Sequence, residues 1–225
     1  KISSSSSINI YGNWLESGIL TVSNCDLDVD YIRYYADSAG SITNSSTVRG
    51  RLYIYEDSLA TVTGSTFTGD HPAYCQAEHL AMIQANIFSG LNDGTIHVRG
   101  GTIDQNTDLN AIGNITQYQI ESSAVTINPG VTVSLPSNIQ LTLSNPLTVY
   151  GTLSLAANSR FILGGSQQLT VYGSMDVTNA ELFQLSSSSS INIREGGSLS
   201  MTDTDITKIS SSSSINIYGN WLESG

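Results

Sequence analysis

Positive charge is scarce in this chain: eight Lys and Arg stand against nineteen Asp and Glu, a formal net charge of −11 over 225 residues. A surface that binds DNA, RNA or an anionic membrane needs clustered cations, so no nucleic-acid partner is expected. Charge of either sign is low, at 12% of residues, and acids are missing altogether from Ser122 to Met175, where Arg160 is the only charge. Ser, Thr, Asn and Gln must solvate that stretch. No apolar run approaches the roughly 18 residues of a spanning helix, so no membrane span is expected in this segment. Two cysteines, Cys25 and Cys75, are too few for a disulfide framework or a four-cysteine zinc site; whether they pair is left open. Helix formers such as Lys, Glu and Ala are sparse as well. The 39% of hydrophobic residues recur throughout, which excludes disorder and favours β structure.

What the chain does have is repetition. Residues 1–18, KISSSSSINIYGNWLESG, return unchanged at residues 208–225. The chain therefore reads as one unit, residues 1–207, followed by the start of an identical unit, residues 208–225, a window on a tandem array. A shorter motif recurs inside the unit: apolar, any, apolar, then Tyr or Arg, then often Gly. It reads INIYG from Ile8, LYIYE from Leu52, IHVRG from Ile96, LTVYG from Leu147 and Leu169, INIRE from Ile191 and INIYG from Ile215. Successive starts are spaced by 44, 44, 51, 22, 22 and 24. With each 44 read as two turns and the 51 split at Val125, the unit holds nine turns. Every motif alternates with the strand period of two and is bounded by turn residues. A fixed period of strands without helices predicts an all-β fold, a parallel β-solenoid of about nine coils of 22–24 residues per 207-residue unit. A β-sandwich also uses short strands, but it does not require a motif to return at fixed spacing. Nine whole turns per unit predict that the second copy continues the first in phase.

The phrase LTVYGTLSLAANSRFILGGSQQLTVYGSMDV, from Leu147, resembles the coils of the right-handed parallel β-helix of the pectin-lyase-like superfamily, as found in large prokaryotic surface, fibre and adhesin-type proteins. That resemblance implies a shape. The fold hosts lyases, hydrolases, binding modules and inert stalks, so activity must be argued from sites.

The motif assigns side chains to columns. Its first and third positions, such as Ile8 and Ile10 or Leu147 and Val149, are expected inside as a continuous apolar core. Its fourth position points outwards and holds Tyr11, Tyr55, Arg99, Tyr150, Tyr172, Arg194 and Tyr218. Such a stripe stabilises itself by stacking and cation–π contact, or it offers a platform to sugar rings; both readings stand. The outward second positions, Asn9, Tyr53, His97, Thr148, Thr170 and Asn192, are too mixed for the regular Thr rows of an ice-binding face. Serine runs cover Ser3–Ser7, then Ser186, Ser187, Ser188, Ser189 and Ser190, then Ser210, Ser211, Ser212, Ser213 and Ser214. The last two runs lie one turn apart and predict a ladder of hydroxyls, with alternate serines turned inwards and bonded along the stack.

Candidate chemistry is thin. Asp26, Asp28 and Asp30 alternate, so all three point the same way from a strand. They are weak candidates for a hard cation; the simpler reading is a solvated face with Leu27 and Val29 inside, and no metal or cofactor is assigned. In DHPAYCQAEHLAMIQ, from Asp70 to Gln84, a helix would bring His71, Cys75 and His79 to one face. Its span of about 12 Å is too long for one zinc ion. A loop or short helix with Leu80, Met82 and Ile83 packed inwards is expected instead. Glu56 and Asp57 sit at a solvent corner, and no nucleophile elbow, phosphate loop or dinucleotide fingerprint is present. Asn44 and Asn114 match the N-glycan acceptor pattern. The expectation is a non-enzymatic structural repeat of an extracellular or cell-surface fibre, stalk or adhesin. Its partners would be neighbouring identical units stacked end to end, with glycans or a host surface as further ones. The alternative is a polysaccharide-binding or polysaccharide-cleaving module on the same fold.

Overall fold

The computed structural model describes residues 7–10, 18–43, 47–69, 73–90, 94–208 and 210–224. Tyr11, Asn44, His71 and the serines before Ser7 lie outside the described residues. Two compact units divide the chain: Lys1–His97 with Ala111–Thr116, and Val98–Asn110 with Gln117–Gly225. Both are built of parallel β-solenoid turns, about nine in all. Among the described residues helix is confined to the 3-10 turn Ala77–His79 and the single turn Leu80–Ile83.

The second unit has three parallel sheets. One stacks Gly101–Ile103, Val125–Ile127, Leu147–Val149, Gln168–Val171, Ser190–Ile193 and Ser214–Ile217 in register. Another carries Thr132–Leu135, Thr152–Leu155, Ser174–Thr178, Ser198–Thr202 and Asn220–Ser224. The third carries Gln117–Ile120, Gln140–Leu143, Arg160–Leu163 and Leu182–Leu185. Alternation is the cause. Leu141, Leu143, Phe161, Leu163, Phe183 and Leu185 all turn inwards and are buried. Identical positions meet in successive turns, so Phe161 stacks on Phe183 with ring centres 5.1 Å apart.

The first unit also has three rows. Ser7–Ile10 pairs with residues 31–34, which pair with residues 51–54 and these with Ala73–Cys75. Residues 26–28, 47–49, 66–68 and 87–89 form a second row, and Ile19–Ser23, Ala39–Thr43 and Leu59–Thr63 a third. A register shift between Asp28 and Tyr31 bends the strand Asp26–Tyr34 from one row into the next. Gly50 makes that bend possible: a Cβ there would stand 2.1 Å from the Val29 carbonyl oxygen. The helix Leu80–Ile83 buries Leu80 and Ile83, and Asn86 behind it donates from Nδ2 to the Val62 carbonyl at 2.8 Å.

Corners are four-residue turns with one residue in the left-handed region. Asp37, Asp57, Asn138, Asn158 and Ser188 have φ between 56° and 65°. Asp and Asn tolerate this region because their short polar side chains bond locally. The next residue turns inwards: Ser38, Ser58, Ile139, Ser159 and Ser189 are all buried. The serine runs are therefore corners, not strands with alternate serines inside. In each of the two described runs only one serine is buried, Ser189 or Ser213, while Ser187, Ser188, Ser211 and Ser212 are exposed. Ser189 Oγ donates to the Ser186 carbonyl of its own turn at 2.6 Å, and Ser213 Oγ reaches the same carbonyl from the next turn at 2.7 Å.

Two further expectations change. Turn length is not uniform: Ile19, Ala39 and Leu59 face one another at steps of 20, and Thr47 meets Thr66 after a step of 19. Those turns use fewer residues than the expected period. The sequence motif also does not follow one row. Leu52–Ile54 and Ile96–Val98 stand in one sheet, and the motifs from Leu147 onwards in another. The two copies of Ser-Ile-Asn-Ile also differ, because Ser7–Ile10 pairs with residues 31–34 whereas Ser214–Ile217 joins the sheet of Ser190–Ile193. The joint is in register but not in phase with nine equal turns.

Replacing Phe183 by Ala empties the centre of a stacked, fully buried column and is expected to cost about 3–5 kcal/mol. Gln184→Ala, next in sequence and facing outwards, should stay within about 0.5 kcal/mol. Denaturant unfolding of the two variants checks the inward–outward assignment.

Candidate functional site

A parallel solenoid places each outward side chain directly over its counterpart one turn away, so aromatic residues at one column position stack. In the first unit such a column runs along the outward positions of one row. The Arg33 guanidinium carbon lies 3.8 Å from the centre of the Tyr31 ring and 4.9 Å from that of Tyr53. Tyr53 stacks on Tyr74 at 4.6 Å with planes 5° apart, and Tyr74 on His97 at 4.4 Å and 11°. Beside it, Tyr35 and Tyr55 stack at 4.7 Å and 5°. Burial works against the Arg33 charge, but its hydrogen bond to Tyr35 and the neighbouring Tyr31, Tyr55 and Tyr35 hydroxyls outweigh it and leave the pKa raised. The guanidinium is a fixed cation held between rings.

At the edge of this strip the bent strand leaves an open groove of about 480 Å³, lined by Asp30, Tyr31, Arg49, Gly50, Arg51 and Thr68 among others. Arg33, Arg49 and Arg51 are three of the eight cations in the chain. Asp28 compensates one of them, with 3.8 Å between its carboxylate and Arg49 Nε. Chemically the strip offers flat apolar faces for stacking and guanidinium donors for carboxylates or hydroxyls.

The motif's fourth positions divide differently from the single stripe expected. Tyr55 belongs to the first unit's corner, against Tyr35. Arg99 donates from Nε to Ser122 Oγ at 3.4 Å, and the residue that follows it one turn on is Glu121, whose N–H donates to the Val98 carbonyl. Among the described residues only Tyr150, Tyr172, Arg194 and Tyr218 follow one another on consecutive turns of one sheet. Tyr150 and Tyr172 stack at 4.9 Å and 10°, and Arg194 lies 5.9 Å from the Tyr218 ring centre. The strip of Arg33, Tyr53, Tyr74 and His97 escapes the sequence reading because each interval of 44 conceals an intermediate turn. The alternating Tyr-Ile-Arg-Tyr from Tyr31 and Ala-Tyr-Cys from Ala73 are the signals that mark those turns.

Asp26, Asp28 and Asp30 do alternate outwards around buried Leu27 and Val29. Among the described residues no three His, Cys, Asp or Glu side chains are grouped to hold a metal ion. Cys75 and His79 do not share a helix. Residues 73–75 are a strand, because Ala73 and Cys75 take inward positions beside Leu52 and Ile54. His79 sits in the following 3-10 turn, with Nε2 3.0 Å from the Tyr55 carbonyl oxygen. Asn114 is exposed. Both cysteines are free, Cys25 exposed and Cys75 buried.

Burial, with a smaller contribution from Glu78, pushes the Cys75 thiol up to about 12 from its ordinary 9.0. A thiol whose pKa is higher in the folded state gives its full stabilisation below the unfolded value and loses it as pH rises. Stability should therefore decline between about pH 9 and 12. Alkylation of the native chain should label Cys25 alone, and Cys75 only after unfolding; labelling of both under native conditions would contradict the placement of Cys75 in the core.

No known family model, curated protein or solved structure matches the chain, so its functional reading rests on the geometry above.

Proposed function

We propose that the chain is a structural section of an extracellular β-solenoid fibre, stalk or adhesin, built from tandem 207-residue units stacked end to end. The observation that carries this reading is the seating of the second copy. Ser214–Ile217 lies in register on Ser190–Ile193, with Ile215 on Ile191 and Ile217 on Ile193. Asn216 Nδ2 donates to Asn192 Oδ1 at 2.8 Å, and the buried corner serine repeats as Ser189 and Ser213. The first copy of the same tetrapeptide carries a turn on its following side, with Ile8 on Ile32. One sequence thus accepts a preceding turn in one copy and a following turn in the other. The change of row between copies is tolerable because apolar–polar–apolar is all that either row demands. Low positive charge and hydroxyl-rich outer faces suit a long exposed surface.

Chains carrying one, two and four units should appear in electron micrographs as rods that lengthen by about 43 Å per unit, from a rise of about 4.8 Å per turn. Separate beads, or a length independent of copy number, would overturn the reading.

A second reading, a polysaccharide-binding module, is favoured by the strip of Arg33, Tyr53, Tyr74 and His97 with its adjoining groove. It predicts retention of the chain on an acidic or neutral glycan and loss of that retention in Tyr53→Ala and Arg33→Ala. Circular dichroism of the variants should be unchanged. Failure to bind across a broad glycan panel would remove it.

A further inference from the structure

We propose that Tyr150 and Tyr172 are an oxidative cross-linking site, at which a haem peroxidase with hydrogen peroxide joins two adjacent turns through a dityrosine bond. Three observations lead there. The strands before the two residues pair with Val149 on Val171, and the backbone N–H groups of Tyr150 and Tyr172 donate to Ile127 and Val149 at 2.9 and 2.8 Å. The two Cα positions are therefore fixed one above the other. The rings stack at 4.9 Å and 10°. Both rings are open to solvent, at 45% and 42% exposure, so a bulky oxidant's diffusible equivalents reach them and the ring edges have room to turn towards each other. No other stacked tyrosine pair among the described residues combines these features. Tyr35, Tyr55, Tyr53 and Tyr74 are all less exposed, and Tyr53 is covered by Arg33. Tyr218, in the same column and more exposed, has Arg194 rather than tyrosine beneath it.

The chemistry balances. Each phenol gives up one electron and one proton, and the two hydrogens reduce one peroxide to two waters. The resulting tyrosyl radicals couple through a carbon ortho to each oxygen, forming one C–C bond. The two ortho hydrogens then move to the oxygens, restoring both phenols. The product is lighter by two hydrogens. Because the partners are already held side by side, coupling within the chain outruns encounter between chains. The bond closes the loop from Tyr150 to Tyr172 and removes conformational freedom from the unfolded chain, so these two turns cannot unzip.

The test treats the dilute whole chain with a haem peroxidase and hydrogen peroxide, then reads dityrosine fluorescence in the monomer, intact mass and linked peptides. Monomer fluorescence, a loss of two hydrogens and a peptide joining residues 150 and 172 are expected, with a higher unfolding temperature. Tyr172→Phe keeps a stackable ring and the fold, and should abolish the monomer cross-link; Tyr218→Phe should leave it intact. A link that survives Tyr172→Phe, one mapped to another tyrosine pair, or dityrosine found only between chains would overturn the proposal.

Discussion

The described turns depend on in-register parallel pairing with their neighbours. A strand of three or four residues cannot satisfy its own N–H and C=O groups, and unpaired groups buried away from water are costly. The neighbouring turn supplies the partners, and in doing so it sets each side chain above its equivalent. Core columns such as Phe161 on Phe183 and surface columns such as Tyr150 on Tyr172 follow from the same hydrogen bonds. Repetition in the sequence is the chemical requirement of that arrangement, because a column works only if successive turns supply compatible residues.

The corners are the second constraint. A turn closes only if the chain reverses tightly between sheets, and here it does so by placing Asp, Asn or Ser in the left-handed region and burying the next residue, most often a serine. Ser38 and Ser189 use one device: each hydroxyl returns to the carbonyl three positions back at 2.6 Å. The same buried serine that ends one corner can bond into the neighbouring turn, as Ser213 does with Ser186. Corners are thus laddered as well as strands, and they fix how much chain a turn consumes.

Much of the fold is legible in the sequence because alternation and period are local properties. The stretch from Leu147 to Val177 can be assigned strand by strand, and its columns are the ones observed. The assignment slips between Ile96 and Val125, where the interval divides into turns of unequal length. Apolar–any–apolar describes a strand in any of the sheets, so the motif identifies strands without saying which sheet they join. The serine runs mislead for a related reason: five identical residues hide which one is left-handed and which is buried. Alignment with the Ala-Asn-Ser and Glu-Asp-Ser corners reveals it. Tyr74 escapes notice because His71, Cys75 and His79, at steps of four, draw the eye to a helix where the chain forms a strand. The aromatic–arginine strip is a product of stacking, and it emerges only once the intermediate turns are placed.

A cysteine pair at Asn192 and Asn216 in a Cys25→Ser background reports whether the second copy continues the coil in register. Parallel in-register neighbours stand about 4.8 Å apart, within the Cα range that a disulfide spans. Mild oxidation should close the Asn192→Cys/Asn216→Cys bridge within the monomer, while Asn192→Cys with Ser214→Cys, displaced along the strand to the same face, should close far less. Equal bridging in both pairs, or none in the first, would mean that the second copy is not seated in register on the turn before it.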